Sequence, residues 1–237
     1  MIRENLIQVH KRIHAACARC GRTPDEITLV SVSKTKPLSM IEECIAAGEH
    51  VFGENYVQEL VDKYAQNRAD GIQWHMIGHL QRNKVKYIID KVALIHSVDS
   101  LRLAAQIESE AAKRELTMNV LLEVNIAEEQ SKWGFSASET ADAAARIAIE
   151  CPHVHVRGLM TSAPYTEDPE NNRLHFRRLH ALFSDIRDHA PKDASGKPVC
   201  FDTLSMGMTG DYEVAIEEGA TMIRVGTGIF GERKIEE

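Results

Sequence analysis

Eight short apolar runs, each followed by a stretch with helical periodicity, limit what this chain can fold into more than any other feature. The runs lie at residues 28–34, 50–53, 73–77, 94–97, 119–125, 153–160, 201–205 and 221–225. They are rich in β-branched and aromatic residues and short enough to be buried strands. The intervening stretches at 40–48, 57–64, 80–89, 100–114, 138–150, 171–189 and 211–218 repeat apolar residues at three- and four-residue steps, the spacing of one helical face. Strand and helix signals in strict alternation imply a parallel sheet, because a parallel neighbour is reached only by a crossover.

Eight such units in 237 residues, with no linker-like stretch between them, predict a closed (β/α)8 TIM barrel forming one domain over residues 1–237. An open doubly wound sheet is the alternative. Ile2, Leu6, Val9, Ile13 and Cys17 mark one further helix ahead of the first strand, stopped by Gly21 and Pro24. Too few residues follow the eighth strand for a full closing helix, so this extra N-terminal helix is expected to cover the flank left open. Residues 192–198 read as a surface excursion, and Ser138 as the cap of the helix that follows it.

No run approaches the length of a membrane span, and the N-terminus lacks the basic-then-apolar layout of a signal peptide, so a cytoplasmic protein is expected. Five cysteines spread over the chain suit a reducing compartment, and the Cys17–Cys20 spacing inside a helix reads as chance. A net charge of -7 argues against nucleic acid as a partner.

In a barrel of this kind the strands' C-terminal tips line one mouth, and chemistry gathers there. Read off the sequence, that ring is Lys34, Asn55, Gly78 with His79, Asn125, Met160, Ser205 and Arg224. Parity places Val30 and Val32 inside the barrel with Lys34, and Met222 inside with Arg224. A lysine over such an apolar floor should have a depressed pKa and a nucleophilic amine. The competing reading is an ordinary strand-ending lysine whose amine snorkels into water. The turns Ser205-Met-Gly-Met-Thr-Gly-Asp211 and Arg224-Val-Gly-Thr-Gly228 expose backbone amides and hydroxyls after the seventh and eighth strands, where barrels frequently hold phosphate. An aldehyde-bearing phosphate ligand, pyridoxal 5'-phosphate (PLP), satisfies the lysine and the cradle together.

Six segments then carry a resemblance over nearly the whole chain: Val32-Ser-Lys34-Thr-Lys-Pro37, Phe52-Gly-Glu-Asn-Tyr56, Trp74-His-Met-Ile-Gly-His-Leu-Gln-Arg-Asn-Lys84, Arg157-Gly-Leu-Met160, Leu204-Ser-Met-Gly-Met208 and Arg224-Val-Gly-Thr-Gly-Ile-Phe-Gly231. The sequence resembles the pyridoxal phosphate homeostasis proteins, a family whose barrel is similar to the N-terminal domain of alanine racemase. The resemblance implies a PLP-binding protein in intracellular cofactor homeostasis, with no robust enzyme activity. It implies Lys34 as the Schiff-base lysine, Ser205, Gly226 and Thr227 as phosphate contacts, and Arg224 as partner of the pyridine nitrogen. Asn55, Met208 and Thr209 complete the implied set. Expected partners are PLP and PLP-dependent apoenzymes, with the protein itself a monomer.

An arginine beside the pyridine nitrogen disfavours its protonation and weakens the ring as an electron sink, which fits a carrier better than a carbanion enzyme. A stand-alone racemase-like PLP enzyme is the second reading, and a barrel enzyme acting on a phosphorylated aldehyde the third. Tyr56, the tyrosine nearest a strand tip, reads as a packing residue. His75 and His79 straddle a strand end without a third ligand, so no metal is expected. Lys132, after the fifth strand, is either a surface lysine or a transient acceptor of the aldehyde.

Overall fold

The computed structural model describes residues 1–67, 69–129 and 133–232. Its elements run, in order, α1 (Ile2–Cys20), β1 (Thr28–Val32), α2 (Leu38–Ala46), β2 (Val51–Glu54), α3 (Val57–Gln66), β3 (Gln73–Met76), α4 (Val85–Ile88) and β4 (Leu94–Val98). Then come α5 (Leu101–Ala112), β5 (Met118–Glu123), α6 (Ala137–Glu150), β6 (Val154–Met160), α7 (Arg173–Asp188), β7 (Thr203–Met208), α8 (Tyr212–Glu217), β8 (Met222–Val225) and α9 (Thr227–Phe230). Each strand pairs in parallel with the next, and β8 returns to pair with β1, so the sheet closes as a (β/α)8 barrel.

Strand alternation divides the apolar residues into two layers. Phe52, Trp74, Met76, Ile95, Val120, Leu122 and Leu159 point outward and pack under the helices. Val30, Leu94, Leu121, Met160 and Met222 fill the barrel interior. Each fully buried side chain of this size contributes about 1.5–3 kcal/mol. The inward placement of Val30 and Met222 follows the parity read from the sequence.

The helix α9 is a single turn, and α1 covers the flank beside it. Asn5 Nδ2 donates to Ile229 O at 2.8 Å, while Arg12 and Arg19 reach Glu213 and Glu217 of α8 at 2.6 Å. The buried face of α1 is Ile2, Leu6, Val9, Ile13, Ala16 and Cys17, and the helix ends at Gly21 with φ 71°.

Two helix boundaries differ from the sequence expectation. The stretch 80–89 forms a 3-10 turn, Arg82–Lys84, and the one-turn α4. Its buried residues Leu80, Val85 and Ile88 open with a five-residue step that no single helical face accommodates. The helix α6 is capped by Ser136 and not Ser138, through a capping box in which the Glu139 carboxylate accepts from the Ser136 amide and hydroxyl.

At Gly158 the register between β5 and β6 shifts, and the residue adopts φ 152°. A Cβ there would lie 1.8 Å from Thr203 O on the neighbouring strand. Gly158→Ala is therefore expected to cost about 3 kcal/mol, as overpacking against backbone that has nowhere to move. A chemical denaturation midpoint unchanged from the parent would contradict this.

Candidate functional site

Just beyond β1 the chain turns through Lys34 and Thr35. Ser33 N–H still bonds to Gly53 O at 3.1 Å, while Thr35 takes φ 60°, a left-handed conformation uncommon for a residue with a Cβ. The turn is held from beneath by a buried ion cluster. Thr35 N–H donates to Glu59 Oε1 at 2.6 Å, and the same oxygen accepts from Lys63 Nζ at 2.6 Å. Lys63 Nζ also donates to Glu54 Oε1 and to Ser33 O, both at 2.7 Å, and Ser33 Oγ donates to Glu54 Oε1 at 2.6 Å. Glu54 is fully buried; desolvation raises its carboxyl pKa, against the opposing pull of Lys63. Lys34 emerges half-buried above this cluster.

Lys36 faces elsewhere. Its ammonium donates to the carbonyls of Phe230, Gly231 and Glu232 at 3.3, 2.9 and 3.0 Å, satisfying the C-terminal end of α9. The loop that bears Lys34 is thereby tied to the loop after β8.

Inside the barrel, below the mouth, lies a polar layer drawn from four strands. Arg224 is buried, donating from Nη1 to Ser205 Oγ at 2.7 Å and from Nη2 to Thr161 O at 2.8 Å. Ser205 Oγ lies 3.1 Å from His96 Nδ1, and His96 Nε2 lies 3.0 Å from His75 Nδ1. Burial lowers the Arg224 pKa to about 10, with Asp211 and Glu123 pulling it back up. Burial likewise lowers His75 to about 4, and pushes His96 well below its ordinary value, helped by His75 and Arg224.

Both imidazoles are consequently neutral in the fold, which sets a pH dependence. Above the ordinary histidine pKa of 6.5 folding changes no proton at these sites; below it the unfolded chain takes up protons that the folded chain refuses. Stability should therefore fall as the pH drops from 6.5 towards 4, and the His75 shift alone corresponds to about 3 kcal/mol. Urea midpoints measured between about pH 8 and about pH 5 check this; His75→Gln should flatten the decline, and an equally steep decline in that variant would remove His75 from the account.

Above this layer is the cradle. Thr209 Oγ1 accepts from Gly226 N–H at 3.2 Å and from Gly228 N–H at 3.4 Å, drawing the loops after β7 and β8 together. Gly207, with φ 90°, sits where the register between β7 and β8 shifts, and a Cβ there would fall 2.5 Å from Ala215 Cβ. The bulge lets α8 approach the end of β7. Asp211 secures the turn, accepting from Met208 N–H at 2.7 Å and from Asn172 Nδ2 at 2.8 Å. Thr227 is exposed at the start of α9, and Met208 is exposed at the rim.

Of the residues expected at the site, Thr209, Gly226 and Thr227 meet at the cradle, with Lys34 and Arg224 on neighbouring strands. Ser205, expected as a phosphate contact, lies a layer deeper than these residues. It precedes the bulge, is fully buried, and its hydroxyl is engaged by Arg224 and His96. Tyr56, expected to pack, is 58% exposed, because it caps α3 with its side chain at the surface beside Lys36 and Glu59. Asn125 ties down its own loop through Glu129 O at 2.8 Å. His75 and His79 diverge: the first is in the barrel interior, while the second pairs with Asp99 at 3.2 Å and stacks on Trp133 at the rim. Lys132 lies outside the described residues. Among the described residues no group of three or more metal-ligating side chains converges, and no helix is long and apolar enough to cross a membrane.

His96, Thr161 and the cluster of Glu54, Glu59 and Lys63 were not anticipated. Parity could have found His96, which shares the inward face of β4 with Leu94. The ion cluster joins β2 to α3 through side chains that look like surface charges in the sequence.

The residues present suit a phosphorylated pyridine aldehyde. Asn55 Oδ1 is buried without a hydrogen-bond partner, the cradle amides are held only by long bonds from one hydroxyl, and Arg224 still carries N–H groups beyond the two it uses. A closed parallel barrel with a strand-tip lysine beside the glycine turns after β7 and β8 defines a class, and residues 5–234 match the alanine racemase N-terminal domain family. Curated relatives narrow it. The pyridoxal phosphate homeostasis protein of Aquifex aeolicus is 44% identical over 231 residues, covering 98% of each chain, and that of Escherichia coli K12 is 42% identical over 236 residues, covering 98% of this chain and 97% of the other. PipY of Synechococcus elongatus, solved with PLP bound, superposes with a TM-score of 0.82 at 29% identity, covering 98% of this chain and 100% of its own. The chain belongs to the pyridoxal phosphate homeostasis protein family.

Proposed function

We propose that this chain is a pyridoxal 5'-phosphate-binding protein of the cytoplasm, one barrel domain over residues 1–237 acting as a monomer, that holds the cofactor on Lys34 and passes it to PLP-dependent apoenzymes. The observation that supports this reading is the position of half-buried Lys34 just past β1, the strand that pairs with β8, beside the turns bridged by Thr209, Gly226 and Gly228. When bound, PLP supplies an aldehyde that condenses reversibly with a primary amine and a ring that can accept electrons.

The chain's own residues divide the work of binding. Lys34 provides the amine, on a turn fixed by Glu59 and Lys63. Gly226 and Thr227, with the Thr209 hydroxyl, present donors to the phosphate at the start of α9. Asn55 offers its unpartnered amide oxygen to a donor on the ligand, and Met208 lies over the rim. Arg224 directs its remaining N–H groups at the ring nitrogen, and Ser205 acts on the ligand through Arg224. A cationic donor at that nitrogen opposes its protonation, so the site retains the ring without making it a strong electron sink. That favours holding over turnover.

Loading the protein with PLP, reducing with borohydride and mapping the modified peptide tests the assignment. The label is expected on Lys34; a label confined to another lysine would overturn it. The racemase-like reading makes a separate prediction: incubation with amino acids in heavy water would exchange the α-proton at turnover rates, whereas a carrier leaves it in place.

A further inference from the structure

Resting on the reading that this barrel holds PLP with Arg224 at the ring nitrogen, we propose that His96 is a positioning residue which, acting through Ser205, fixes the Arg224 guanidinium in that orientation.

Hydrogen counting along the buried layer carries the argument. A guanidinium can only donate, so Ser205 Oγ accepts from Arg224 Nη1 at 2.7 Å. Ser205 is fully buried, and its own hydroxyl hydrogen needs an acceptor. The acceptor in place is His96 Nδ1, 3.1 Å away. That atom must carry a lone pair, so the neutral His96 ring has its proton on Nε2 and donates it to His75 Nδ1 at 3.0 Å. His75 in turn carries its proton on its own Nε2. The hydrogen bonds therefore run one way, from Arg224 to Ser205, from Ser205 to His96 and from His96 to His75.

This direction has two consequences. The Ser205 hydroxyl hydrogen is committed to His96 and a lone pair of the same oxygen to Arg224, so this hydroxyl is engaged on both sides in holding the guanidinium. Among the described residues the acceptors hydrogen-bonded to Arg224 are Ser205 Oγ and Thr161 O, both uncharged, while Asp211 and Glu123 act on it without a hydrogen bond. The guanidinium charge is thus not cancelled by a contacting carboxylate, and a second positive charge on a nitrogen beside it is disfavoured. A ring nitrogen with a free lone pair satisfies the arrangement; a pyridinium does not.

Two measurements test this. In the protein alone, nitrogen-15 NMR of the imidazoles should show both His96 and His75 as neutral rings protonated at Nε2; a proton on His96 Nδ1 would overturn the relay. In protein loaded with PLP labelled at the pyridine nitrogen, the nitrogen-15 shift should be that of an unprotonated ring accepting a hydrogen bond. His96→Phe, which leaves the Ser205 proton without an acceptor, should move that shift and speed PLP dissociation at least about tenfold. His96→Asn, whose Oδ1 stands near the place of Nδ1, should restore both. An unchanged shift and dissociation rate in His96→Phe would sink the positioning role. Failure of the PLP reading itself would appear separately, as absence of any Lys34 adduct, with the imidazole spectrum of the protein alone unaffected.

Discussion

Lys34→Ala will abolish covalent retention of PLP. The wild-type protein, loaded and dialysed, should keep a near-visible absorption band that survives buffer exchange; the variant should lose it. The cradle is independent of this side chain, because Thr209, Gly226 and Gly228 are held by their own loops and by Asp211. The variant should therefore still bind the phosphate end weakly and reversibly, detectable by equilibrium titration but not after dialysis. Lys36 cannot substitute, since its ammonium is committed to the last carbonyls of α9 and the residues after it. Retention of the band in Lys34→Ala would move the covalent site to another lysine and remove the reason for the turn beneath it.

Lys63→Met carries the largest expected cost to the fold. It strips the cation from a cluster in which Glu54 is fully buried, leaving a carboxylate with neither water nor a counter-ion. Breaking a buried pair from one side costs about 3–5 kcal/mol. The sign of its pH dependence follows from Glu54. Without Lys63 only the weaker pull of the Ser33 hydroxyl opposes the desolvation that already raises the carboxyl pKa, so the folded variant favours the protonated acid more than the unfolded chain does. The stability lost relative to wild type should shrink as the pH falls through that raised pKa, and be largest above it. Glu54→Gln combined with Lys63→Met should recover part of the loss, since it removes the charge that was stranded. If the single variant unfolds at the same denaturant concentration as the parent, the cluster does not hold the Lys34 turn. A milder effect should reach the site, because Ser33 O loses its donor and Glu59, which accepts from Thr35 N–H, loses the ammonium that holds it.

The barrel was legible in the sequence because its signal is repeated. Eight strand runs err independently, and Val30, Met222 and Arg224 could be placed inside by parity alone. Lys34 and the cradle turns were legible for a related reason, since residues at strand tips inherit their positions from the strands. What escaped was set by contacts between elements distant in sequence. The resemblance implies Ser205 as a phosphate contact, and the sequence run ends there; β7 continues to Met208 through a bulge at Gly207, with Ser205 buried and Thr209 bridging the two turns. His96 looked like one polar residue in an apolar strand until Ser205, more than a hundred residues later, supplied its partner. The pairing of Glu54 with Lys63 also escaped, because nothing local in the sequence shows that α3 brings Lys63 to the end of β2.

The Thr209 hydroxyl, described above as the bridge between two turns, also bears on how readily the cargo leaves. Its bonds to Gly226 and Gly228, at 3.2 and 3.4 Å, lie at the weak end of the range, so a phosphate with charge-assisted bonds can displace it. When phosphate departs, the same hydroxyl returns to amides that would otherwise be left bare. Release therefore strands no buried donor, and the protein trades one partner for another at modest cost in either direction. In the proposed role of passing the cofactor on, that built-in understudy keeps loading and unloading close to balance.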